Sequence, residues 1–336
     1  YEIVSRDWSS DVCSSDLMNI NKKVLSLTLS AVMAVSLLAS CGTSGGTDTS
    51  DASGSQSSNP GGEDGVFTIA YAPNESTAES ADARNGLAKD LGEFLGCEVE
   101  EIQASDYNAI IEALRTGSAD MAYMSSQALA LGVERTDLEP IVMKAEDGDP
   151  DKAIYHSVFI TNSANDDINS IADIKGRTMA FVDPDSTSGN LVPTAEIIKA
   201  LPEDELNSDM LHTNGGFFEA VSFSGSHQAG LQAVVKGDVD VAPISDQILA
   251  SEIANGNASE SDVKIIHESG AIPAEAMVVA EHVDQATRDK LTEFLTSYEN
   301  EDYFADVIKV PNARFIECDM SDYEAIIELN KIINEF

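Results

Sequence analysis

The stretch ALRTGSADMAYMSSQAL at residues 113–129 recurs as AVVKGDVDVAPISDQIL at residues 233–249, an offset of 120. Seven of the 17 positions are identical without a gap: Ala, Gly, Asp, Ala, Ser, Gln and Leu. Each copy reads as a helix ending at a glycine, then a short apolar strand, then a polar turn into a new helix. A second pair, TIAYAPNEST at 68–77 and TMAFVDPDST at 178–187, lies at an offset of 110. Each member reads as a strand followed by Ser-Thr just before helical periodicity. Together the two pairs imply two α/β lobes built on one plan.

The surrounding pattern agrees. Leu87, Leu91, Phe94 and Leu95 form an apolar stripe at helical spacing, as do Tyr107, Ile110, Ile111 and Leu114. Residues 99–102, 141–143, 157–161, 179–182, 263–266 and 277–280 read as short strands. Strands alternating with helices predict mostly parallel sheets. Ligands of such sheets sit outside the carboxyl ends of the strands. Both Ser-Thr turns lie at such ends, and two facing lobes make a cleft.

The sharpest candidate for chemistry is DPDSTSG at 183–189. It follows a strand and opens a helix whose apolar positions are Ala195, Ile197, Ile198 and Leu201. Ser186, Thr187 and Ser188 offer three hydroxyls beside the free N–H groups and positive dipole end of a helix N-terminus. That combination suits a tetrahedral oxyanion; the plainer alternative is N-capping by a single serine. GSHQ at 225–228 places His227 at another helix start, where it can donate to an anion or simply cap. The five histidines stand at 156, 212, 227, 267 and 282, without metal-ligand spacing. A nucleophile elbow, a Gly-x-x-x-x-Gly-Lys phosphate loop, a dinucleotide fingerprint and a spaced calcium loop are all absent from the sequence. No catalytic set, cofactor or metal is expected.

The chain of 336 residues carries 19 Lys+Arg against 59 Asp+Glu, a formal charge of −40. This balance argues against a nucleic-acid binder, which needs clustered cations for phosphate backbones. It argues equally against a basic face docked on anionic lipid. Residues 1–17 precede Met18, match nothing around them, and read as a non-native leader. From Met18, Lys22 and Lys23 precede an apolar run too short to span a bilayer, closed by Leu38-Ala39-Ser40-Cys41. The tetrad resembles a bacterial lipobox, which predicts a signal peptide over 18–40 and lipidation of Cys41. Residues 41–65, rich in Gly, Ser, Thr and Asp, read as a flexible tether. Segment 1–40 holds three Lys/Arg and four Asp/Glu, so the remainder still carries −39. Cys97 and Cys318 remain as ordinary cysteines; they can pair in an oxidising compartment or stay as separate buried thiols.

Several segments resemble, in family order over roughly residues 66–330, the phosphonate/phosphite-binding proteins of ATP-driven uptake systems. They are YHSVFI at 155–160, IADIKG at 171–176, FVDPDSTSGNLVP at 181–193, DYNAII at 106–111, GSH at 225–227, GDVD at 237–240 and Ile272-Pro273. The resemblance implies an α/β, two-lobed type II periplasmic-binding-protein fold with two parallel-type sheets and an interlobe cleft. Lobe one is expected at 66–153 plus 277–336, and lobe two at 154–276. The resemblance places Ser186, Thr187, Ser188 and His227 on phosphonate oxygens and brings in Tyr107 and Tyr155. It puts Glu275, with Asp246 or Gln247 beside it, at the position of carboxylates that read a ligand amine. Asn190 departs from the family, where an aromatic is common. The implied function is a non-catalytic, monomeric, lipid-anchored solute-binding protein outside the plasma membrane or in a periplasm. It would capture an aminoalkylphosphonate such as 2-aminoethylphosphonate and deliver it to permease subunits of an ABC importer. The alternatives are a binder of phosphite, phosphate or a sulfonate, and a secreted phosphoester-acting enzyme on the same fold.

Overall fold

The structure is a computed structural model that describes residues 65–334. The leader, the signal-like segment, Cys41 and nearly all of the tether lie outside the described residues.

The strands are, in chain order, β1 (Val66–Tyr71), β2 (Glu98–Gln103), β3 (Met121–Met124), β4 (Leu138–Glu146), β5 (Ile154–Tyr155), β6 (Ser157–Asn162), β7 (Thr178–Phe181), β8 (Ala220–Phe223), β9 (Val241–Ser245), β10 (Val263–Glu268), β11 (Ile272–Pro273), β12 (Ala276–Ala280) and β13 (Ala313–Glu317). One sheet has the order β13-β4-β12-β3-β1-β2, and a second has the order β10-β6-β9-β7-β8. β5 and β11 form a two-stranded ribbon, pairing Tyr155 with Ile272 and Ile154 with Pro273.

The internal repeat is visible atom by atom. The helices Tyr107–Thr116 and His227–Lys236 end at Gly117 and Gly237, with φ of 73° and 75°. These left-handed positions suit glycine because it has no Cβ to clash. Asp106 and Ser226 cap the starts of the same helices, accepting from the N–H groups of Ala109 and Ala229. β3 and β9 follow, and Ser125 and Ser245 then cap the helices Ser126–Val133 and Asp246–Ala254. The repeated aspartate ties the two sequence pairs together. Asp120 accepts from Thr68 N–H at 2.6 Å, and Asp240 accepts from Thr178 N–H at 2.9 Å. In each sheet the carboxylate fixes the start of one strand to the end of a neighbouring loop.

The sheets are mixed, which corrects the expectation of mostly parallel sheets. β1 runs parallel to β2 and β3, and β7 runs parallel to β8 and β9. β12, however, is antiparallel to both β3 and β4, and β6 is antiparallel to both β9 and β10. Chain direction at the crossings explains this. β4 leaves its sheet at the edge where the parallel strands end, so the chain returning as β12 enters at that edge and must run the opposite way. β6 enters the second sheet under the same constraint.

Both sheets are buried on two faces because the strand period of two sends alternate side chains to opposite sides. On β1, Phe67, Ile69 and Tyr71 join Leu87, Leu91 and Leu95 of the helix Ala81–Leu95. Ala70 faces the other way, onto Ile110, Ile111 and Leu114. In the second sheet Phe159, Met179 and Phe181 pack with Ile197, while Val158, Ile160 and Ala180 pack with Leu231 and Val234. Phe94, read as part of the first apolar stripe, is 44% exposed and leans on Phe294 with ring centroids 5.4 Å apart. Cys97 and Cys318 are free thiols packed on opposite faces of the first sheet, so the sheet itself separates them.

Gly189 is fixed by close approach. A Cβ there would lie 2.3 Å from Val182 Cβ. Gly189→Ala should therefore destabilise the protein by about 1–3 kcal/mol, the usual cost of overpacking. Denaturant unfolding checks this, and a change below about 0.5 kcal/mol would show that the turn yields freely.

Candidate anion-binding site

The loop after β7 is drawn into a tight bowl. Val182 N–H donates to Gly189 C=O at 3.0 Å, and Gly189 N–H donates to Ser186 Oγ at 3.1 Å. A π-type turn over Thr187–Leu191 then leads into the helix Val192–Ala200. Ser186, Thr187 and Ser188 are all buried. Thr187 Oγ1 accepts the Gln127 N–H from the first sheet's side at 2.8 Å, and Ser157 Oγ donates to Ser188 C=O at 2.6 Å. Tyr107 lies beside the side chain of Ser186, and Tyr155 beside those of Ser188 and Thr187. Tyr107, before the first crossing strand, and the serine turn, after it, thus meet at this place.

His227 opens the helix His227–Lys236 and is buried. Ser245 N–H donates to its Nδ1 at 3.1 Å. A backbone N–H can only donate, so Nδ1 is unprotonated and the ring's hydrogen sits on Nε2. Burial, helped by Lys144, pushes the His227 pKa down to about 3. His227 is therefore a neutral donor of fixed tautomer rather than an imidazolium.

One small cavity gathers these groups. Its walls are Ala72, Asn74, Glu75, Tyr107, Tyr123, Ser125, Tyr155, Ser186, Ser188, His227 and Glu275. The room left between them is about 10 Å³, close to the space of one water molecule. The walls are thus nearly in contact, and a ligand larger than water needs them to part.

Of the residues singled out from the sequence, the structure brings Tyr107, Tyr155, Ser186, Ser188, His227 and Glu275 to this cavity. Thr187 sits directly behind it, occupied by Gln127. Asp246 is turned away; its Oδ1 accepts the N–H groups of His156 at 3.0 Å and Gln247 at 2.8 Å. Gln247 Nε2 reaches toward the Ile154 carbonyl, at 3.4 Å. Neither lines the cavity, because the start of their helix is committed to holding the adjoining chain.

Four wall residues with polar side chains were missed: Asn74, Glu75, Tyr123 and Ser125. Asn74 Oδ1 accepts the His227 N–H at 3.1 Å, and its Nδ2 donates to the Tyr107 hydroxyl. In the TIAYAPNEST repeat, Asn74 and Glu75 stand opposite Pro184 and Asp185, so the repeat itself carried the signal.

Lys144 was missed too, a cation beside the site that the sequence reading did not name. It is 5% exposed on β4, with its ammonium 2.6 Å from Glu275 Oε2, off the direction of a good hydrogen bond, and 5.4 Å from the Tyr155 ring centroid. A lone lysine inside an apolar strand run was the available sign. Burial, then the neighbouring Glu275, raises the pKa of Glu75 to about 8. Burial also pushes the Tyr107, Tyr123 and Tyr155 hydroxyls well above the ordinary tyrosine range, so they remain donors at neutral pH.

Two mixed α/β lobes joined by paired crossing strands, with a buried, hydroxyl-rich cavity at their junction, define a type II periplasmic binding protein. The comparisons specify the family. The family model for the periplasmic phosphonate substrate-binding protein of ABC transporters matches residues 69–323, and the chain belongs to that family. Its members are extracytoplasmic binding components of ABC transporters, not enzymes. A phosphate-import protein of Mycolicibacterium smegmatis is 28% identical over 235 residues, 67% of this chain and 70% of that protein. The phosphonates-binding periplasmic protein of Escherichia coli is 28% identical over 216 residues, 62% of this chain and 59% of that protein. Among solved structures, a binding protein component of an ABC phosphonate transporter from Pseudomonas aeruginosa superposes with a TM-score of 0.69 at 22% identity, covering 80% of this chain and 86% of that one. A Prochlorococcus marinus protein in complex with methylphosphonate gives 0.68 at 20% identity, covering 81% of this chain and 99% of that one. Among the described residues no helix is long and apolar enough to cross a membrane.

Proposed function

We propose that this protein captures an aminoalkylphosphonate, with 2-aminoethylphosphonate as the leading example, and hands it to the permease of an ABC importer. In this reading lobe one is 66–153 plus 277–336 and lobe two is 154–276. The protein is held at the membrane through a lipid on Cys41 and works as a monomer. Ser186, Ser188, the His227 Nε2–H and the tyrosine hydroxyls of Tyr107 and Tyr155 receive the phosphonate oxygens. Glu275 faces the amine.

The observation that carries the proposal is the charge count of the cavity. Two carboxyl groups, the buried Glu75 and the partly buried Glu275, line the cavity, and the one cation beside them, Lys144, is already paired with Glu275. Buried charges need partners, so this end of the site suits a ligand that brings its own positive charge. The opposite end is rich in neutral donors and suits an oxyanion. A bare anion would meet the carboxyl end unfavourably.

Titration calorimetry with 2-aminoethylphosphonate, methylphosphonate, phosphite and phosphate tests the proposal. The expected result is tightest binding of the aminophosphonate, by at least tenfold. Preference for phosphate or phosphite would replace this reading with an inorganic oxyanion importer. The M. smegmatis relative is named for phosphate import, which makes that comparison the informative one.

A further inference from the structure

The carboxyl of Glu75 has no part in the sequence-level reading, and neither its fold nor its neighbours account for it. Glu75 follows β1, is 9% exposed, and lines the cavity. Its Oε2 is buried and finds no hydrogen-bond partner among the described residues. The main chain around it is well held. Its carbonyl accepts from Arg84 Nη1 and from Ser80 Oγ at 2.5 Å each. A buried, unpartnered polar atom costs about 1–3 kcal/mol, so a rigid segment is holding this carboxyl toward the ligand space against its own preference.

We propose that Glu75 is a specificity-determining residue that exchanges its proton for the ligand's ammonium: it holds the proton while the cavity lacks a cation, and releases it when an amine-bearing phosphonate binds between Glu75 and Glu275. This rests on the aminophosphonate reading above and adds a proton-coupled step to it. The balance is simple. The carboxylic O–H of Glu75 ionises, the proton leaves to solvent, and the resulting carboxylate pairs with a cation that arrives already charged.

The surroundings support the exchange. Burial is the largest cause that keeps the Glu75 proton on, and Glu275 adds to it; Lys144 and Lys309 oppose it. His227, pushed down to about 3, is neutral and does not compete for the proton near pH 7. Tyr107, Tyr123 and Tyr155 are neutral as well. A ligand ammonium placed against Glu75 would therefore reverse the balance that keeps it protonated.

The sign follows from linkage. With the ligand-free group titrating near 8 and the bound group ionised, affinity for the aminophosphonate rises as pH climbs toward 8 and levels off above it. An ammonium lowers the second pKa of a phosphonate beside it, so each ligand's own titration in free solution is subtracted first; methylphosphonate has no amine, and the corrected ratio of the two affinities isolates Glu75.

Calorimetry of the intact protein at pH 7, in two phosphate-free buffers of different protonation enthalpy, should show close to one more proton released with 2-aminoethylphosphonate than with methylphosphonate. The affinity ratio should climb several-fold to tenfold from pH 6.5 to 7.5. Glu75→Gln should abolish both effects and lower the ratio at pH 8 by at least tenfold. Equal proton release for the two ligands, or a ratio flat with pH in the unaltered protein, overturns the exchange while leaving aminophosphonate capture standing. Failure of 2-aminoethylphosphonate to bind overturns both. The wild-type measurement decides the matter even if Glu75→Gln folds poorly.

Discussion

Lys144→Met should cost about 3–5 kcal/mol of stability at pH 7, the usual penalty for removing one partner of a buried ion pair. Lys144 is 5% exposed, its partner Glu275 has a side chain 16% exposed, and their charged atoms lie 2.6 Å apart. Removing the ammonium leaves the Glu275 carboxylate uncompensated beside a second carboxyl, Glu75, that already resists ionisation. The methionine keeps the apolar stem that passes the Tyr155 ring, so the loss reports on charge rather than volume. Adding Glu275→Gln to Lys144→Met should restore stability to within about 1 kcal/mol of wild type, because replacing both members of a buried pair is far cheaper than orphaning one. Urea unfolding of the wild type, both single variants and the double variant provides the cycle. A single-variant loss under 1 kcal/mol would mean that solvent reaches the pair.

The second large effect concerns His227. His227→Phe should weaken methylphosphonate binding by about 10- to 100-fold, because a hydrogen bond to a charged group contributes about 1.5–3 kcal/mol. His227→Gln, which keeps a donor, should recover part of that loss. The protonation state adds a sharper test. With its pKa near 3, His227 stays neutral across pH 5–8 and should add no pH dependence of its own to anion affinity. An imidazolium donor would instead strengthen binding as pH falls through about 6.5. Wild-type and His227→Gln affinities for methylphosphonate, measured from pH 5 to 8, should run parallel. Curves that converge as pH rises would contradict the fixed tautomer.

Much of this architecture could be read from residue order. The repeat beginning at Ala113 and Ala233 located both capped helices, both strands and both glycine ends, because each of these features is a local rule about caps and periodicity. Five of the six stretches read as strands lie within observed strands, and 179–182 runs one residue past the end of β7. Strand direction was harder. Whether β12 runs with or against β3 depends on which edge the chain returns to, and that is set by a crossing far from either strand in sequence.

The site divides in the same way. Ser186, Ser188 and His227 could be picked out because they sit at turns that announce themselves. Lys144 and Glu275 are 131 positions apart and meet only through the pairing of β4 with β12, so their mutual neutralisation had no local trace. Asp246 misled for the opposite reason. The resemblance pointed to it as a reader of a ligand amine, while its carboxylate accepts the N–H groups of His156 and Gln247.

The ribbon of β5 and β11 has a consequence for how selectivity can evolve. Tyr155 lies on one of its strands and Glu275 two residues beyond the other, so the crossing between the lobes and part of the cavity wall are one piece of chain. Closure of the lobes by bending at this ribbon would draw on the same equilibrium as ligand capture, and observed affinity would scale with the fraction of molecules able to close. A substitution in the ribbon that leaves the cavity side chains alone should shift the affinity of every ligand by one common factor. A substitution of a cavity side chain should change the ranking among ligands. Sensitivity and discrimination are thus tuned by different residues, even though they share the same few ångströms of backbone.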